Sequence, residues 1–97
     1  SILANIQQIP PRERAGEYLT TRLRTTVGIQ GSEYEKQYLL PFAPLEASLE
    51  KCRMNGFANK TLDGRWYLTP KGFLISNSII SDLLLIQDQC QPMTRKR

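Results

Sequence analysis

The pattern of apolar and polar positions along the chain predicts four helices and one β-hairpin. In the first and third predicted helices the apolar residues recur every three or four positions, which places them on one face of a helix. The predicted helices span residues 12–26, 33–39, 44–55 and 70–87, and the hairpin strands span residues 57–60 and 65–68. This order of elements is typical of a small α+β domain, and we predict a winged-helix-like fold.

The stretch from residue 63 to residue 73 gives the clearest local signals. Asp63-Gly64 favours a hairpin, because a type I′ turn needs positive φ at both central residues. Thr69 can cap the following helix through its hydroxyl, and Pro70 suits the first helical position, where its missing N–H costs nothing. We therefore expect a strand that ends at Leu68 and a long helix that begins at Pro70.

The other predicted helix ends have their own signals. Gly28 is a suitable stop for the first helix, and Ser32 with Glu35 has the spacing of a capping box at the start of the second. Gly56 closes the third helix, whose inner face we expect to extend as far as Met54.

The last helix has too many apolar positions for a simple surface helix. Residues 83–86 are all apolar and together cover most of its circumference. Either the helix is central and wrapped by its own domain, or a second body covers part of it. We favour a missing domain or a second copy of the chain, and we assign Leu83, Leu84 and Ile86 to an interdomain apolar face. On this interpretation, Leu83→Asp would improve the solubility of the domain.

The length and charge of the chain set its domain organisation. A chain of 97 residues suits one domain with a modest core. We assign residues 1–11 to a linker from a missing upstream domain, residues 12–88 to the domain and residues 89–97 to a flexible basic tail. The formal net charge is +4, and much of the excess lies in residues 95–97. This tail is either a solvated terminus or a contact for nucleic acid or a membrane.

The composition argues against several kinds of site. The sequence has no histidine, which removes the commonest general base and the commonest zinc ligand. Cys52 and Cys90 match no metal-ligand spacing, so we predict two reduced thiols in a cytoplasmic protein, Cys52 in the core and Cys90 exposed. No residues have the pattern of nucleophilic catalysis, and no apolar run approaches the ~20 residues of a membrane helix. We therefore assign no catalytic or metal-binding residue.

Arg22 and Arg24 are the candidate contact residues of the first helix. They flank the apolar Leu23, so their side chains cannot both point in the same direction. Either they are solvated or paired with Glu17 and Glu33, or a guanidinium reaches a carboxylate-rich ligand or a partner domain.

Two alternatives come from other classes of protein. In a free-standing DNA-binding regulator, residues 44–55 would form the recognition helix, and Lys60 and Arg65 would lie on the wing. Glu46 and Glu50 on that helix would repel phosphates, which makes a nucleic-acid partner the weaker hypothesis. A dimerisation module that associates through the last helix is the third interpretation.

Two stretches of the chain, taken together, resemble a known family. Residues 17–26, followed by Gly28-Ile29, and residues 65–80 have an order and spacing similar to the C-terminal domain of oxygen-independent coproporphyrinogen III oxidase-like proteins. This radical-SAM family includes a haem-chaperone branch. The resemblance extends over residues 12–85, and its most specific part combines the Leu-Arg-Thr helix with the Gly-Phe-Leu-Ile-Ser-Asn-Ser helix.

The resemblance implies a role in porphyrin and haem metabolism that this domain does not perform alone. The family has an upstream barrel domain that binds a [4Fe-4S] cluster, through a three-cysteine motif, and S-adenosylmethionine. That motif is absent from this sequence, so the domain itself should bind neither cofactor. The domain would pack beside the barrel opening and help to enclose the tetrapyrrole or haem. Arg24, with Arg22 as a second candidate, would meet a propionate or the barrel.

Overall fold

A computed structural model describes residues 10–93, and in this range the chain forms five helices and a three-stranded antiparallel sheet. The helices are α1 (Arg12–Leu23), α2 (Gly31–Tyr38), α3 (Ala43–Met54), α4 (Pro70–Leu74) and α5 (Ser76–Asp88), and the strands are β1 (Ile29–Gln30), β2 (Ala58–Lys60) and β3 (Arg65–Leu68). The predicted α+β class is confirmed. Most of the proposed linker, residues 1–9, and the basic end, residues 94–97, lie outside the described residues.

Strand β3 occupies the centre of the sheet, whose order is β1-β3-β2. Trp66 pairs with Ile29 on one side and with Lys60 on the other, and its side chain is fully buried in the core. The predicted hairpin is present, but its turn is not type I′, because Gly64 has a positive φ of 87° and Asp63 does not. Residues 61–64 form a longer connection instead, closed by the hydrogen bond from Thr61 N to Arg65 O at 2.8 Å.

Helices α1 and α5 pack against each other in antiparallel directions. At the start of α1, the Arg12 guanidinium donates to two backbone carbonyls at the far end of α5. One belongs to Gln87 in the last turn of α5, and the other to Cys90, two residues after the helix ends. Just after the end of α1, the Arg24 guanidinium donates to Oδ1 of Asn77 in the first turn of α5. These two contacts fix the direction of both helices and define the two ends of the pair.

The first helix ends at Leu23, three residues earlier than the pattern predicts. The Thr25 hydroxyl donates to Arg22 O and accepts from Val27 N, which forms a turn in place of another helical turn. Gly28 then reverses the chain into β1 with a φ of 74°, and a Cβ atom there would lie 2.2 Å from Trp66 O. Only glycine fits so close to the central strand.

The predicted capping box at the second helix is not formed. Helix α2 begins at Gly31, and the Glu35 carboxylate accepts a hydrogen bond from Phe42 N at 2.8 Å. The carboxylate therefore satisfies the backbone at the start of α3 instead of the backbone at the start of its own helix. Met54, predicted to extend the inner face of α3, is 81% exposed.

The long last helix predicted over residues 70–87 is broken at Ile75. The predicted cap is present, since the Thr69 hydroxyl accepts from Gly72 N at 3.0 Å, and it also donates to Gly56 O at 2.7 Å. Gly72 packs tightly on the chain before β2, because a Cβ atom there would lie 1.9 Å from Phe57 O. This close contact fixes α4, and Ile75 leaves helical geometry (φ −115°, ψ 27°) so that α5 can pack against α1 and α3.

The chain just beyond α5 is hydrogen-bonded to the rest of the domain. Cys90 N donates to Gln87 O at 3.0 Å, and Met93 N donates to Leu39 O at 2.7 Å, which ties the chain to the end of α2. Two hydrogen bonds therefore connect the first residues of the predicted tail to the rest of the domain.

Candidate functional site

The most conspicuous exposed apolar surface lies on α4. Phe73, Leu74 and Ile75 are consecutive, and their side chains are 52%, 85% and 39% exposed. We call these three residues the α4 surface. Contiguous exposed apolar side chains are typical of surfaces that bind a protein or a ligand.

The position of α4 is set by contacts in its first turn, at Lys71 and Gly72. Gly72 is buried against the backbone of Phe57, and this contact holds the first turn of α4 against the chain before β2. Lys71 holds the same turn, because its ammonium donates to Asn55 O at 3.3 Å and lies 5.0 Å from the centre of the Phe57 ring. The α4 surface is therefore displayed on a short helix fixed at its first turn.

An apolar groove runs beside the α4 surface. It has a volume of about 330 Å³ and lies between the end of α1, strand β3 and α4. Its lining includes Leu23, Tyr67, Leu68 and Phe73, and Arg24 stands at its edge. The groove therefore combines a mainly apolar lining with a guanidinium group that can pair with a carboxylate of a ligand or partner.

The two predicted contact arginines lie in different environments. The Arg22 guanidinium forms an ion pair with Glu33 Oε1 at 3.3 Å and lies 5.0 Å from the centre of the Tyr18 ring. The Tyr18 hydroxyl donates to the same carboxylate at 2.7 Å, and burial raises the pKa of Tyr18 to about 12. Arg22 thus joins α1 to α2, as one of the two sequence interpretations expected. Arg24 is exposed at the groove beside the α4 surface.

The residues assigned to an interdomain face do not form a continuous exposed surface. Leu83 is fully buried in the core of this domain and does not lie on an exposed face, so we now expect Leu83→Asp to destabilise the domain. Leu84 and Ile86 are half-buried and pack against that core. Leu85, which we did not single out, is 63% exposed. The core of the domain itself therefore accounts for most of this apolar run.

Charge compensation is the main feature of the hairpin and of helix α3. Oε2 of Glu46 accepts from Lys60 Nζ at 2.8 Å and from Trp66 Nε1 at 2.9 Å, and these contacts lower the pKa of Glu46. Glu50 pairs with Arg53 at 2.7 Å in the same helix. A nucleic-acid-binding face normally concentrates uncompensated positive charge, and here Lys60 and Arg53 are each paired with a carboxylate.

Both cysteines are half-buried. Burial raises the pKa of Cys52, which packs against the core as predicted. The Cys90 thiol was predicted to be exposed, but it is half-buried and donates to Ile86 O at 3.3 Å. Within residues 10–93, no group of three or more histidine, cysteine, aspartate or glutamate side chains is arranged to hold a metal ion. Over the same residues, every helix is too short or too polar to cross a bilayer.

Comparisons of the chain with protein-family models, with curated proteins and with solved structures give no match. The resemblance carried by residues 17–26 and 65–80 is therefore an expectation from the sequence, and the function that it implies is argued below as a proposal.

The sequence analysis did not single out the α4 surface, although a signal was present. Ser76, Asn77 and Ser78 interrupt the apolar pattern, and serine and asparagine are residues that favour helix starts. Their position indicates a new helix at Ser76, where α5 does begin. With the helix divided there, residues 73–75 would have been recognised as a separate apolar group.

Proposed function

We propose that this chain is the C-terminal accessory domain of a cytoplasmic, oxygen-independent coproporphyrinogen III oxidase-like radical-SAM protein of porphyrin and haem metabolism. In this proposal a barrel domain precedes the present domain and holds the [4Fe-4S] cluster and S-adenosylmethionine. The domain covers the opening of the barrel and helps to shape the tetrapyrrole pocket, and the barrel performs the chemistry. The α4 surface is the observation that carries the proposal.

The order of elements supports the winged-helix-like part of this proposal. The chain runs α1-β1-α2-α3-β2-β3, and the last strand lies between the other two. In a winged-helix domain a short strand after the first helix likewise pairs with the returning strand of the hairpin. Helices α4 and α5 extend this arrangement, and α4 presents its apolar residues beside the end of β3.

The α4 surface is a suitable contact for the barrel. Leu74 is 85% exposed, and burial of a leucine side chain contributes about 1.5–3 kcal/mol to an association. The corner formed by Thr69 and Gly72 holds α4 in place before a partner binds. A preformed surface loses less conformational entropy on docking than a flexible one.

The groove beside the α4 surface is a suitable contact for the tetrapyrrole. A porphyrin-type ligand has a flat apolar ring with carboxylates at its periphery. Tyr67, Leu68 and Phe73 would contact the ring, and Arg24 would pair with a carboxylate. Arg24 would exchange its hydrogen bond to the neutral Asn77 amide for an ion pair with the carboxylate. Arg22 is already paired with Glu33, so we assign it no ligand contact.

The coding sequence immediately upstream of Ser1 gives the most direct test. We expect it to encode a barrel-sized segment with a Cys-x-x-x-Cys-x-x-Cys motif in the same reading frame. A start codon just before Ser1 would contradict the proposal.

A second test uses the complete polypeptide and its tetrapyrrole substrate or ligand. We expect Arg24→Ala to weaken tetrapyrrole binding about tenfold, because a charge-assisted hydrogen bond is lost. Arg14→Ala is the matched control, since Arg14 is an exposed arginine in the first turn of α1 and does not line this groove. Equal affinities for the two variants would remove Arg24 from the proposed pocket.

A further inference from the structure

A neutral side chain holds Arg24 beside the apolar groove. The Arg24 guanidinium donates to Oδ1 of Asn77 in the first turn of α5, and Asn77 lies outside the lining of the groove. A guanidinium has no acceptor, so the amide must present its oxygen, and it brings no charge to the contact. Asn77 therefore places the guanidinium at the groove without neutralising it.

Arg22, two residues earlier in the chain, has the opposite arrangement. Its guanidinium pairs with the Glu33 carboxylate at 3.3 Å, and this pair joins α1 to α2. Among residues 10–93, ion pairs also involve Arg53 and Lys60 but not Arg24. The positive charge at the groove edge is therefore not offset by a carboxylate of the described chain.

We propose that Asn77 is a positioning residue that sets the affinity of this groove for a carboxylate of the tetrapyrrole, an inference that rests on the proposed function. Arg24 is exposed, and its hydrogen bond to Asn77 restricts a long side chain to the groove edge before a ligand binds. A side chain that is already ordered loses less rotamer entropy on binding.

The neutrality of Asn77 is the second part of its role. A guanidinium can leave an amide oxygen for a carboxylate without breaking an ion pair, and the new contact is charge-assisted. An aspartate at position 77 has nearly the same shape, but its charge would compete with the carboxylate of the ligand. Asn77 thus combines placement of Arg24 with easy release.

The probe for this inference is coproporphyrin III, a flat porphyrin with carboxylates at its periphery, and its binding to the complete polypeptide is measured by porphyrin fluorescence. We expect Asn77→Ala to weaken binding severalfold, because Arg24 is no longer held at the groove. Asn77→Asp should weaken it by about tenfold or more, because the new carboxylate retains the guanidinium.

Thermal denaturation of the same variants distinguishes positioning from a merely structural role. Alanine favours a helix, and an aspartate in the first turn of α5 suits the helix dipole, so neither variant should lower the melting temperature. The affinity should therefore fall while the stability is kept. A loss of stability that accompanies the loss of affinity in both variants would overturn the positioning role.

Two double variants test whether Asn77 acts through Arg24. In a protein that already carries Arg24→Ala, neither Asn77→Ala nor Asn77→Asp should weaken coproporphyrin binding further. A further loss would mean that residue 77 affects the ligand by another route, and it would overturn the proposal. Ser78→Asp is the charge control, since it adds a carboxylate at the next, exposed position of α5, outside the groove lining. It should bind as wild type does, and a loss equal to that of Asn77→Asp would also overturn the proposal.

Arg24→Ala separates this inference from the proposed function. If the wild-type protein does not bind coproporphyrin, or if Arg24→Ala binds it unchanged, the proposed pocket fails and this inference fails with it. If Arg24→Ala weakens binding while both Asn77 variants bind as wild type does, this inference alone is overturned.

Discussion

Two apolar runs near the C-terminus have opposite environments in the folded domain. Leu83, in the run at residues 83–86, is fully buried, and its neighbours Leu84 and Ile86 pack against the same core. In the run at residues 73–75, Leu74 is 85% exposed. Apolar composition therefore does not decide which run is available to a partner.

The difference comes from the elements that hold each run. Helix α5 packs between α1 and α3, which bury most of its apolar side chains, and Leu85 is the exposed exception. Helix α4 packs through Gly72 at its first turn, and the residues that follow, Phe73 and Leu74, are exposed. A short helix held at one end thus displays apolar residues that a longer packed helix would bury.

The largest expected effect is on stability, when one leucine of each apolar run is replaced by alanine. Leu83→Ala should lower the free energy of unfolding by about 2–5 kcal/mol, because it leaves a cavity in the core. Leu74→Ala, the matched control on the exposed run, should change it by less than about 0.5 kcal/mol. Urea denaturation of both variants measures the difference. Similar losses for the two variants would contradict the assignment of one run to the core and the other to the surface.

The next effect tests the corner that displays the exposed run. Gly72→Ala should lower the free energy of unfolding by about 1–3 kcal/mol, because its Cβ atom would lie 1.9 Å from Phe57 O and the backbone must move. Thermal denaturation measures the loss. Gly16→Ala is the control, since its Cβ atom meets only the flexible end of Leu84 and alanine favours a helix. A Gly72→Ala protein as stable as wild type would show that α4 is not fixed by this contact.

A smaller effect concerns the cap of α4. Thr69→Ala removes the hydroxyl that accepts from Gly72 N and donates to Gly56 O, and it should cost about 1 kcal/mol. Thr69→Ser retains the hydroxyl and should restore most of the loss. Hydrogen exchange at the amides of residues 72 and 73 should quicken in the alanine variant only. Unchanged exchange would mean that the cap does not hold α4.

The smallest effect tests the paired charges of the hairpin, which lie away from both apolar runs. The pKa of Glu46 is lowered in the folded protein by Lys60 and Trp66, so its stabilising effect is full at neutral pH. This effect is lost as the pH falls from the ordinary value of 4.5 through the lower folded-state pKa. Glu46→Gln should cost about 0.5–1 kcal/mol at pH 7, because solvent screens this partly exposed pair.

Denaturation at several pH values measures that effect. The difference between Glu46→Gln and wild type should shrink in acid, where the wild-type carboxylate is also neutral. Glu50→Gln is the control, since its partner Arg53 is more exposed and the pair should contribute less. A difference that stays constant from pH 7 into acid would exclude the carboxylate charge as its cause.

Local signals in the sequence predicted the parts of the fold that depend on neighbouring residues. The Thr69 cap, the hairpin near Gly64 and the stop at Gly56 follow from side-chain chemistry and turn geometry within a few positions. The break at Ile75 and the burial of Leu83 depend on contacts with residues distant in sequence. The periodicity of one helix contains no information about those contacts.

The candidate site was predicted in the same uneven way. Arg24 was named from its place beside Leu23, and the structure puts it at the edge of an apolar groove. The α4 surface was missed because residues 70–87 were treated as one helix. The predicted capping box failed because of a contact outside its own helix. The Glu35 carboxylate accepts a hydrogen bond from Phe42 N instead of from the backbone at the start of α2.

Hydroxyl-radical footprinting of individual side chains tests the central claim most directly. It would compare this domain alone with the complete polypeptide, in which the proposed barrel precedes it. We expect Phe73 and Leu74 to be oxidised in the isolated domain and protected in the complete protein, and Leu83 to stay protected in both. Equal oxidation of Phe73 and Leu74 in the two proteins would contradict the assignment of the α4 surface to the barrel.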